Sequence, residues 1–341
     1  MNKHMPYDLK QMQSLPLEAK VIMTQRRIRE WYEYWDGAVY VSFSGGKDST
    51  VLKHIVDNTP GVYDVPALFV NTGLEFPELQ RFAMAQANVE TVRPEMRFDD
   101  VLRECGYPVI SKLVANYIFT AKRDPNSQRA RWLRGDDWTK FVAGGKYAYL
   151  VDAPFKISGK CCDVMKKKPA KAYQKKTGRK PMTGQMACES VSRENEWNKN
   201  GCNGFEMKNP ISNPMAFWTE QDVLHYLKKY KVPYCSVYGD IVLDEQRETI
   251  EGQINAIDVL GDYEPGDKLK TTGCKRTGCI FCPLGSQHEK GENRFQRLKK
   301  THPRQYDFCI NGGEFVDGLW QPNKKGLGLG YVLDYINVPY K

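Results

Sequence analysis

The chain has 341 residues, of which 41% are hydrophobic and 27% charged. This is the composition of a folded globular protein of one or two domains, with enough apolar residues for a sizeable core. No apolar run approaches the roughly 20 residues that would span a bilayer, and Met1 to Lys20 lacks the apolar stretch of a secretory signal, so the expectation is a cytoplasmic protein with no membrane partner. Ten cysteines are too sparse for a disulfide scaffold. The net charge of +9 favours polyanionic ligands.

Taken in order, Leu17 to Trp35 reads as an amphipathic helix leading into a buried strand, Ala38 to Phe43. Val51 to Val56 reads as a helix, Pro66 to Val70 as a second buried strand and Pro77 to Ala87 as the next helix. Asn88 to Arg93 reads as a third strand and Phe98 to Glu104 as a helix. This alternation predicts βαβ units and an α/β fold, a Rossmann-like parallel sheet with helices on both faces. Residues 111–160 lack clean periodicity and read as an insertion with some helix, after which Lys180 to Gly184 returns to the sheet. Thr219 is a predicted N-cap, with Asp222 in the first turn of the helix it starts. From Gly261 the chain becomes a small irregular cysteine-rich C-terminal segment, in which Gly326 to Gly330 reads as a turn. The expected organisation is a helical lead-in at 1–35, a nucleotide-binding α/β domain at 36–260 and a cysteine-containing extension at 261–341.

The most informative stretch is Ser44-Gly45-Gly46-Lys47-Asp48-Ser49-Thr50, between the first strand and its helix. Unpaired amides and the positive end of the helix dipole attract an anion there. Gly45 and Gly46 let a phosphate approach, Ser44, Ser49 and Thr50 add hydroxyls, and Lys47 adds a charge. The spacing is not that of the common P-loop, because Asp48 follows Gly46-Lys47 and Val41 stands where the first glycine belongs. The plain alternative is a strand-to-helix turn that happens to be rich in glycine and serine. Asn71, Thr72 and Gly73 lie just beyond the second strand, where parallel sheets place their ligands.

Five cysteines form a second pattern. Cys274, Cys279 and Cys282 are spaced C-x4-C-x2-C, and the adjacent pair Cys161 and Cys162 would complete four ligands. Such thiolates suit an iron–sulfur cluster of the 4Fe–4S type, or a structural zinc, or stay unliganded. Gly273 and Gly278 free the backbone to turn, and Lys275 and Arg276 would stabilise the thiolates. Two basic clusters stand out. One runs from Lys166 to Lys180, and the other joins Arg123, Arg129, Arg131 and Arg134 with Trp132 and Trp138. Both suit nucleic-acid contact, and both also suit solvated helix faces.

Several blocks together resemble the phosphoadenosine phosphosulfate (PAPS) reductase family of the pyrophosphate-loop ATP pyrophosphatases, which carry the adenine nucleotide alpha-hydrolase-like fold. The Ser44–Thr50 loop has the form Ser-Gly-Gly-x-Asp-Ser/Thr. Phe69 to Glu78 is similar to the family's strand ending in Asn-Thr-Gly before Phe-Pro-Glu. Thr183 to Arg193, with Gly184, is similar to its glycine-to-Ser-x-x-Arg block, and Asn213 to Val223 to its Trp-Thr helix entry. Pro233-Tyr234 and Tyr238-Gly239 follow as in the family. Cys161-Cys162 with Cys279 and Cys282 resembles the ligand set of cluster-bearing adenylyl-sulfate reductases. The likeness spans roughly residues 35 to 290.

Two departures bear on function. The reductases carry a Glu-Cys-Gly nucleophile near the C-terminus, and this chain has none. Its loop also keeps the ATP-using form. The resemblance therefore implies an ATP pyrophosphatase-type transferase that adenylates a substrate, nucleic acid or tRNA, for sulfur transfer with an iron–sulfur cluster. On that reading Ser44, Gly45, Gly46, Ser49 and Thr50 cradle the β and γ phosphates of ATP. Lys47 offsets developing charge, and Asp48 holds Mg²⁺ or caps the helix. Asn71, Thr72, Gly73 and Gly184 border the nucleotide, and Arg193 faces the adenylate or serves as a structural ion pair. A sulfur donor protein or thiol reductant, and a homodimer, belong to the same reading. The alternatives are an adenylyl-sulfate or PAPS reductase that releases sulfite, and a non-catalytic nucleotide- and cluster-binding partner of a larger complex.

Overall fold

The structure, a computed structural model, describes residues 4–136, 145–244 and 266–341. Trp138, read above as part of a basic and aromatic cluster, and Gly261, where the C-terminal segment was read to begin, lie outside them. The first elements in chain order are α1 (Pro6–Gln13), α2 (Leu17–Tyr34), β1 (Val39–Phe43), α3 (Lys47–Asp57), β2 (Ala67–Val70), α4 (Pro77–Ala85), β3 (Val89–Val92) and α5 (Phe98–Cys105). They are followed by α6 (Lys112–Arg123), α7 (Gln128–Arg134), α8 (Lys168–Thr177), β4 (Lys180–Met182), α9 (Val191–Asn200), β5 (Asn203–Gly204), β6 (Ile211–Ser212), α10 (Glu220–Lys229) and β7 (Ile241–Leu243). The chain ends with β8 (Leu269–Thr271), α11 (Arg294–Thr301), α12 (Pro303–Ile310), β9 (Glu314–Val316), β10 (Leu319–Gln321) and α13 (Leu329–Tyr335).

Two compact units share these elements. The first comprises residues 1–71, 75–92 and 170–277. Its sheet has the order β3-β2-β1-β4-β6-β5. All neighbouring pairs are parallel except β5 with β6, which closes the edge antiparallel. Side chains alternate across β1. Val39, Val41 and Phe43 join one core with Ile28 and Trp31 of α2, Val51 and Leu52 of α3 and Val223 and Leu227 of α10. Tyr40 joins Leu68 and Tyr173 of α8 on the other face. The period of two along the strand thus calls for helices on both faces, and α2, α3 and α10 cover one while α8 covers the other. Because β1 lies between β2 and β4, the chain leaves it in one direction and returns on its other side. That reversal opens a crevice at the carboxyl end of β1, the general ligand position of such sheets. The loop from Ser44 to Gly46 starts there.

The second unit comprises residues 72–74, 93–169 and 278–341. The predicted insertion supplies α6 and α7, each begun by a serine N-cap: Ser111 accepts from Val114 N–H and Ser127 from Ala130 N–H. Phe155 is fully buried, edge-on to Tyr107, Tyr331 and Tyr335. The Tyr107 hydroxyl donates to the Leu327 carbonyl at 2.8 Å, so the core of this unit joins residues far apart in sequence. The glycine run near the C-terminus turns at Gly328, which takes a φ of +65° just before α13.

Candidate functional site

The Ser44–Thr50 loop is held by its own hydroxyls. Ser44 N–H donates to Ser49 Oγ at 3.2 Å, and Gly46 N–H donates to Ser44 Oγ at 3.3 Å. The Ser49 and Thr50 hydroxyls both donate to the Gly46 carbonyl, at 2.9 and 3.0 Å. Gly45 has a φ of +73°, and a Cβ there would lie 3.1 Å from Ala83 and Leu79, so both conformation and space require glycine. Gly184 fills a second close approach. A Cβ on it would lie 2.9 Å from the carbonyl oxygen of Asp48, in the first turn of α3.

Lys47 and Asp48 start α3 in a nest of charge. The Lys47 side chain is 4% exposed, and its ammonium lies 3.2 Å from Glu220 and 3.8 Å from Asp48. It also donates to the Lys275 carbonyl at 3.0 Å. Burial raises the pKa of Asp48 above the usual carboxylate value; Lys47 opposes that shift and Glu220 adds to it, while Arg276 and Arg193 oppose it from farther away. Asp48 Oδ1 is buried and accepts no hydrogen bond. Arg193, in the first turn of α9, pairs with Glu189, and Arg276 reaches the same carboxylate at 3.7 Å. Burial lowers the pKa of Arg193, and the neighbouring Arg276 cation lowers it further. Two guanidinium groups and one buried ammonium thus stand beside the loop, set against the three carboxylates of Asp48, Glu189 and Glu220.

The first unit therefore brings together Ser44, Gly45, Gly46, Lys47, Asp48, Ser49, Thr50, Gly184 and Arg193. Asn71 belongs to the same unit, where its carboxamide oxygen accepts from Gln80 at 2.6 Å. Thr72 and Gly73 begin the second unit, and Thr72 Oγ1 accepts from Leu74 N–H at 3.1 Å. Four further residues enter the loop's surroundings beyond the site candidates read from the sequence: Thr277, and Tyr238, Glu189 and Glu220, which lie within the family-like blocks. Tyr238 O accepts the Lys47 amide at 3.1 Å and lies 2.7 Å from Thr277 Oγ1. The available signal was a pair of glycines. Cβ atoms on Gly239 and Gly273 would meet Thr272 Oγ1 at 2.2 Å and the Val237 carbonyl at 2.5 Å, so these glycines let the two segments pass close together. Lys275 and Arg276, expected beside the thiolates, make the contacts described above with Lys47 and Glu189.

Four of the candidate metal ligands belong to the second unit. A hydrogen bond between the Cys161 and Cys162 thiols pushes the pKa of Cys161 up and holds that of Cys162 down, to about 5. Lys112 and Lys166 favour the Cys162 thiolate, and Cys282 and Cys279 push Cys161 further up. A π-helical turn, Asp163–Lys167, follows directly, a geometry often found at functional sites. Cys282 N–H donates to the Cys279 carbonyl at 3.1 Å, closing the C-x2-C turn. The Cys282 carbonyl in turn accepts from Arg294 at 2.9 Å. Burial raises the pKa of Cys282. Among the described residues, no group of three or more His, Cys, Asp or Glu side chains is arranged to hold a metal ion. Cys274 belongs to the first unit, where its N–H donates to the Val237 carbonyl at 3.0 Å.

The basic runs divide by use. Arg179 donates to the Val39 carbonyl at 3.1 Å, and the Lys180 ammonium sits 5.0 Å from the Trp35 ring centroid, so both serve the sheet. Lys168, Lys171, Lys175 and Lys176 are exposed along α8. Arg129 lies over Tyr117, which stacks on Trp132. Lys160 and Arg123 both lie over Phe119.

A parallel sheet whose central strand feeds a serine- and glycine-rich turn into a helix is the build of a nucleotide-binding α/β protein. Residues 38–101 and 134–285, more than half of the chain, match the phosphoadenosine phosphosulfate reductase domain, and the chain belongs to that family of enzymes. Among solved structures, the chain is similar to a phosphoadenylyl-sulfate (PAPS) reductase from Candida auris in its phosphate complex. The two are 16% identical, the match covers 62% of this chain and 82% of that one, and the TM-score is 0.36. No curated protein matches the chain. Among the described residues, no helix is long and apolar enough to cross a membrane.

Proposed function

We propose that the chain binds ATP at the Ser44–Thr50 loop and adenylates a substrate with loss of pyrophosphate, preparing it for sulfur transfer. The observation that carries this reading is Lys47, a buried ammonium at the mouth of an intact Ser-Gly-Gly-x-Asp-Ser/Thr turn. Preorganised charge of this kind is the main contribution a protein makes to phosphoryl and adenylyl chemistry. Ser44, Ser49 and Thr50 orient the phosphates, and Arg193 with Arg276 faces the anion. Asp48 is the residue that would hold Mg²⁺, since its buried Oδ1 has no hydrogen-bond partner and suits a hard cation. Bound there, the ion would neutralise departing pyrophosphate.

The thiols of Cys161, Cys162, Cys279 and Cys282 are assigned to the sulfur chemistry. Their donor set suits an iron–sulfur cluster, with zinc as the other ion that favours thiolates. Among the described residues these side chains do not converge three at a time. Iron and sulfide content after anaerobic purification tests that part separately. The exposed lysines of α8 and the arginines of α7 support a nucleic-acid substrate, tRNA among them.

The test is pyrophosphate release from ATP and Mg²⁺ by anaerobically purified protein, with and without bulk tRNA or DNA. Release that rises with nucleic acid and vanishes in Ser44→Ala and Lys47→Ala supports the reading. Sulfite formation from adenylyl sulfate or PAPS without ATP would favour a reductase instead. Nucleotide binding with neither product would favour a non-catalytic partner.

A further inference from the structure

Tyr238 and Thr277 lie far from the loop in sequence, yet their hydroxyls meet at its mouth. We propose that these two side chains belong to the phosphate subsite, with Tyr238 positioning the first amide of α3 and Thr277 presenting a hydroxyl to the phosphate. The inference rests on the reading of the loop as a nucleotide site and adds residues to it.

The Tyr238 ring is 2% exposed and packs with Leu79 and Cys235, so it cannot swing away. Its oxygen accepts the amide of Lys47, one of the donors that the start of a helix leaves without an intrahelical partner. Burial raises the pKa of this phenol, which therefore keeps its proton at neutral pH. The phenol and Thr277 Oγ1 lie 2.7 Å apart, a hydrogen bond in which either hydroxyl can donate; on this proposal Tyr238 is the donor. A hydroxyl donates one proton, so accepting from Tyr238 leaves the Thr277 proton for another acceptor. Thr277 is only half-buried, so a ligand can reach it.

Three hydroxyl oxygens converge over Gly46. A Cβ on that glycine would lie 3.2 Å from each of Ser44 Oγ, Thr277 Oγ1 and Tyr238 O. Anion sites at helix starts are built from N–H and O–H donors, so an oxyanion here would be met by hydroxyl protons and not by these oxygens' lone pairs. The segment carrying Thr277 is fixed in place. Gly273 N–H donates to the Tyr238 carbonyl at 2.8 Å, Asp240 N–H to Thr272 Oγ1 at 2.9 Å, and Lys47 to the Lys275 carbonyl at 3.0 Å. The same segment brings the Arg276 cation, against which stand the carboxylates of Glu220 and Asp48.

The experiment is calorimetric titration of inorganic pyrophosphate, and of ATP with Mg²⁺, into the full chain and its variants, with thermal midpoints recorded for each. Thr277→Val should weaken both ligands about tenfold or more, the usual effect of one hydrogen bond to a charged group, and Thr277→Ser should restore them. Tyr238→Phe should weaken them by a similar factor, because Thr277 loses its orienting partner. Wild-type affinity in Thr277→Val, or tighter binding in Tyr238→Phe, would overturn the proposal. The second result would show the phenol competing with phosphate for the Lys47 amide. Lys47→Ala separates the two levels of the argument. If it loses binding while Thr277→Val does not, the loop reading stands and the added residues fall. If Lys47→Ala binds as wild type, the loop reading itself falls. Should Tyr238→Phe fail to fold, the Thr277 pair alone decides, since valine matches threonine in shape at a half-buried position.

Discussion

Lys20 and Asp222 form a buried ion pair in which both carboxylate oxygens are used, at 2.7 and 2.8 Å from the ammonium. Lys20 is 2% exposed and donates also to the Gln13 carbonyl at 2.7 Å. The same carboxylate closes the N-terminus of α10, accepting from the Thr219 amide at 2.7 Å and its hydroxyl at 2.8 Å. One side chain thus starts a helix and ties it to α2. Removing the ammonium leaves a charge in the interior, so Lys20→Met should cost about 3–5 kcal/mol. Urea denaturation measures this, and a loss below about 1 kcal/mol would show the pair behaving like a surface one.

Gly184→Ala should damage the loop from behind. The added Cβ would press on the Asp48 carbonyl at 2.9 Å, backbone against side chain with no flexible end to yield. The expected outcome is a folded protein of lower thermal midpoint with weakened ATP binding. Unchanged binding would show that the first turn of α3 can shift without consequence for the nucleotide.

His54 should make the fold acid-sensitive. Its Nδ1 lies 2.8 Å from the Tyr226 hydroxyl, and burial lowers its pKa below the ordinary 6.5, against the pull of Asp57. The unfolded chain therefore binds the proton more readily than the folded one. Stability from this group is fully present above pH 6.5 and is lost as pH falls through 6.5 towards the lower folded value. His54→Gln should flatten the fall in thermal midpoint over that window. An identical pH profile in the variant would remove His54 as the source.

Arg294→Leu should loosen the cysteine turn. The guanidinium donates to the Cys282 carbonyl at 2.9 Å and is itself held by Glu289. Without it, Cys282 should react faster with an alkylating reagent under native conditions, read by mass spectrometry against buried Cys309. Equal rates would show that the turn holds without the arginine.

Replacing Lys171, Lys175 and Lys176 with alanine should weaken nucleic-acid binding and reduce its salt dependence. Each lysine that meets a phosphate contributes about one to the slope of log K against log salt, so a fall of about three is expected. An unchanged slope would mark α8 as a solvated face.

Elements with a strong local pattern were legible in the sequence. The apolar run of β1, the glycine turn and α3 could be read together, and Thr219 with Asp222 marked the start of α10. The antiparallel edge of the sheet could not be read, because β5 and β6 are two residues each and carry no periodicity. The contacts of Tyr238 and Lys275 with Lys47 escaped for a different reason. Their bonds to Lys47 span 191 and 228 positions, and no local signal encodes such a pairing. Arg179 and Lys180 illustrate an ambiguity of charge. A basic residue that binds a strand carbonyl or an indole face has the same sequence signature as one that awaits a polyanion.

The Oδ1 of Asp48, buried without a hydrogen bond, bears on what the loop admits. On the proposed reading, a bare polyphosphate at Lys47 would face the two carboxylates beside it, Asp48 and Glu220. A polyphosphate escorted by its divalent cation would bring that oxygen a hard partner. On that reading the loop would discriminate by the charge of what arrives, and a chelator would act at entry, as lost binding, before it acted on turnover.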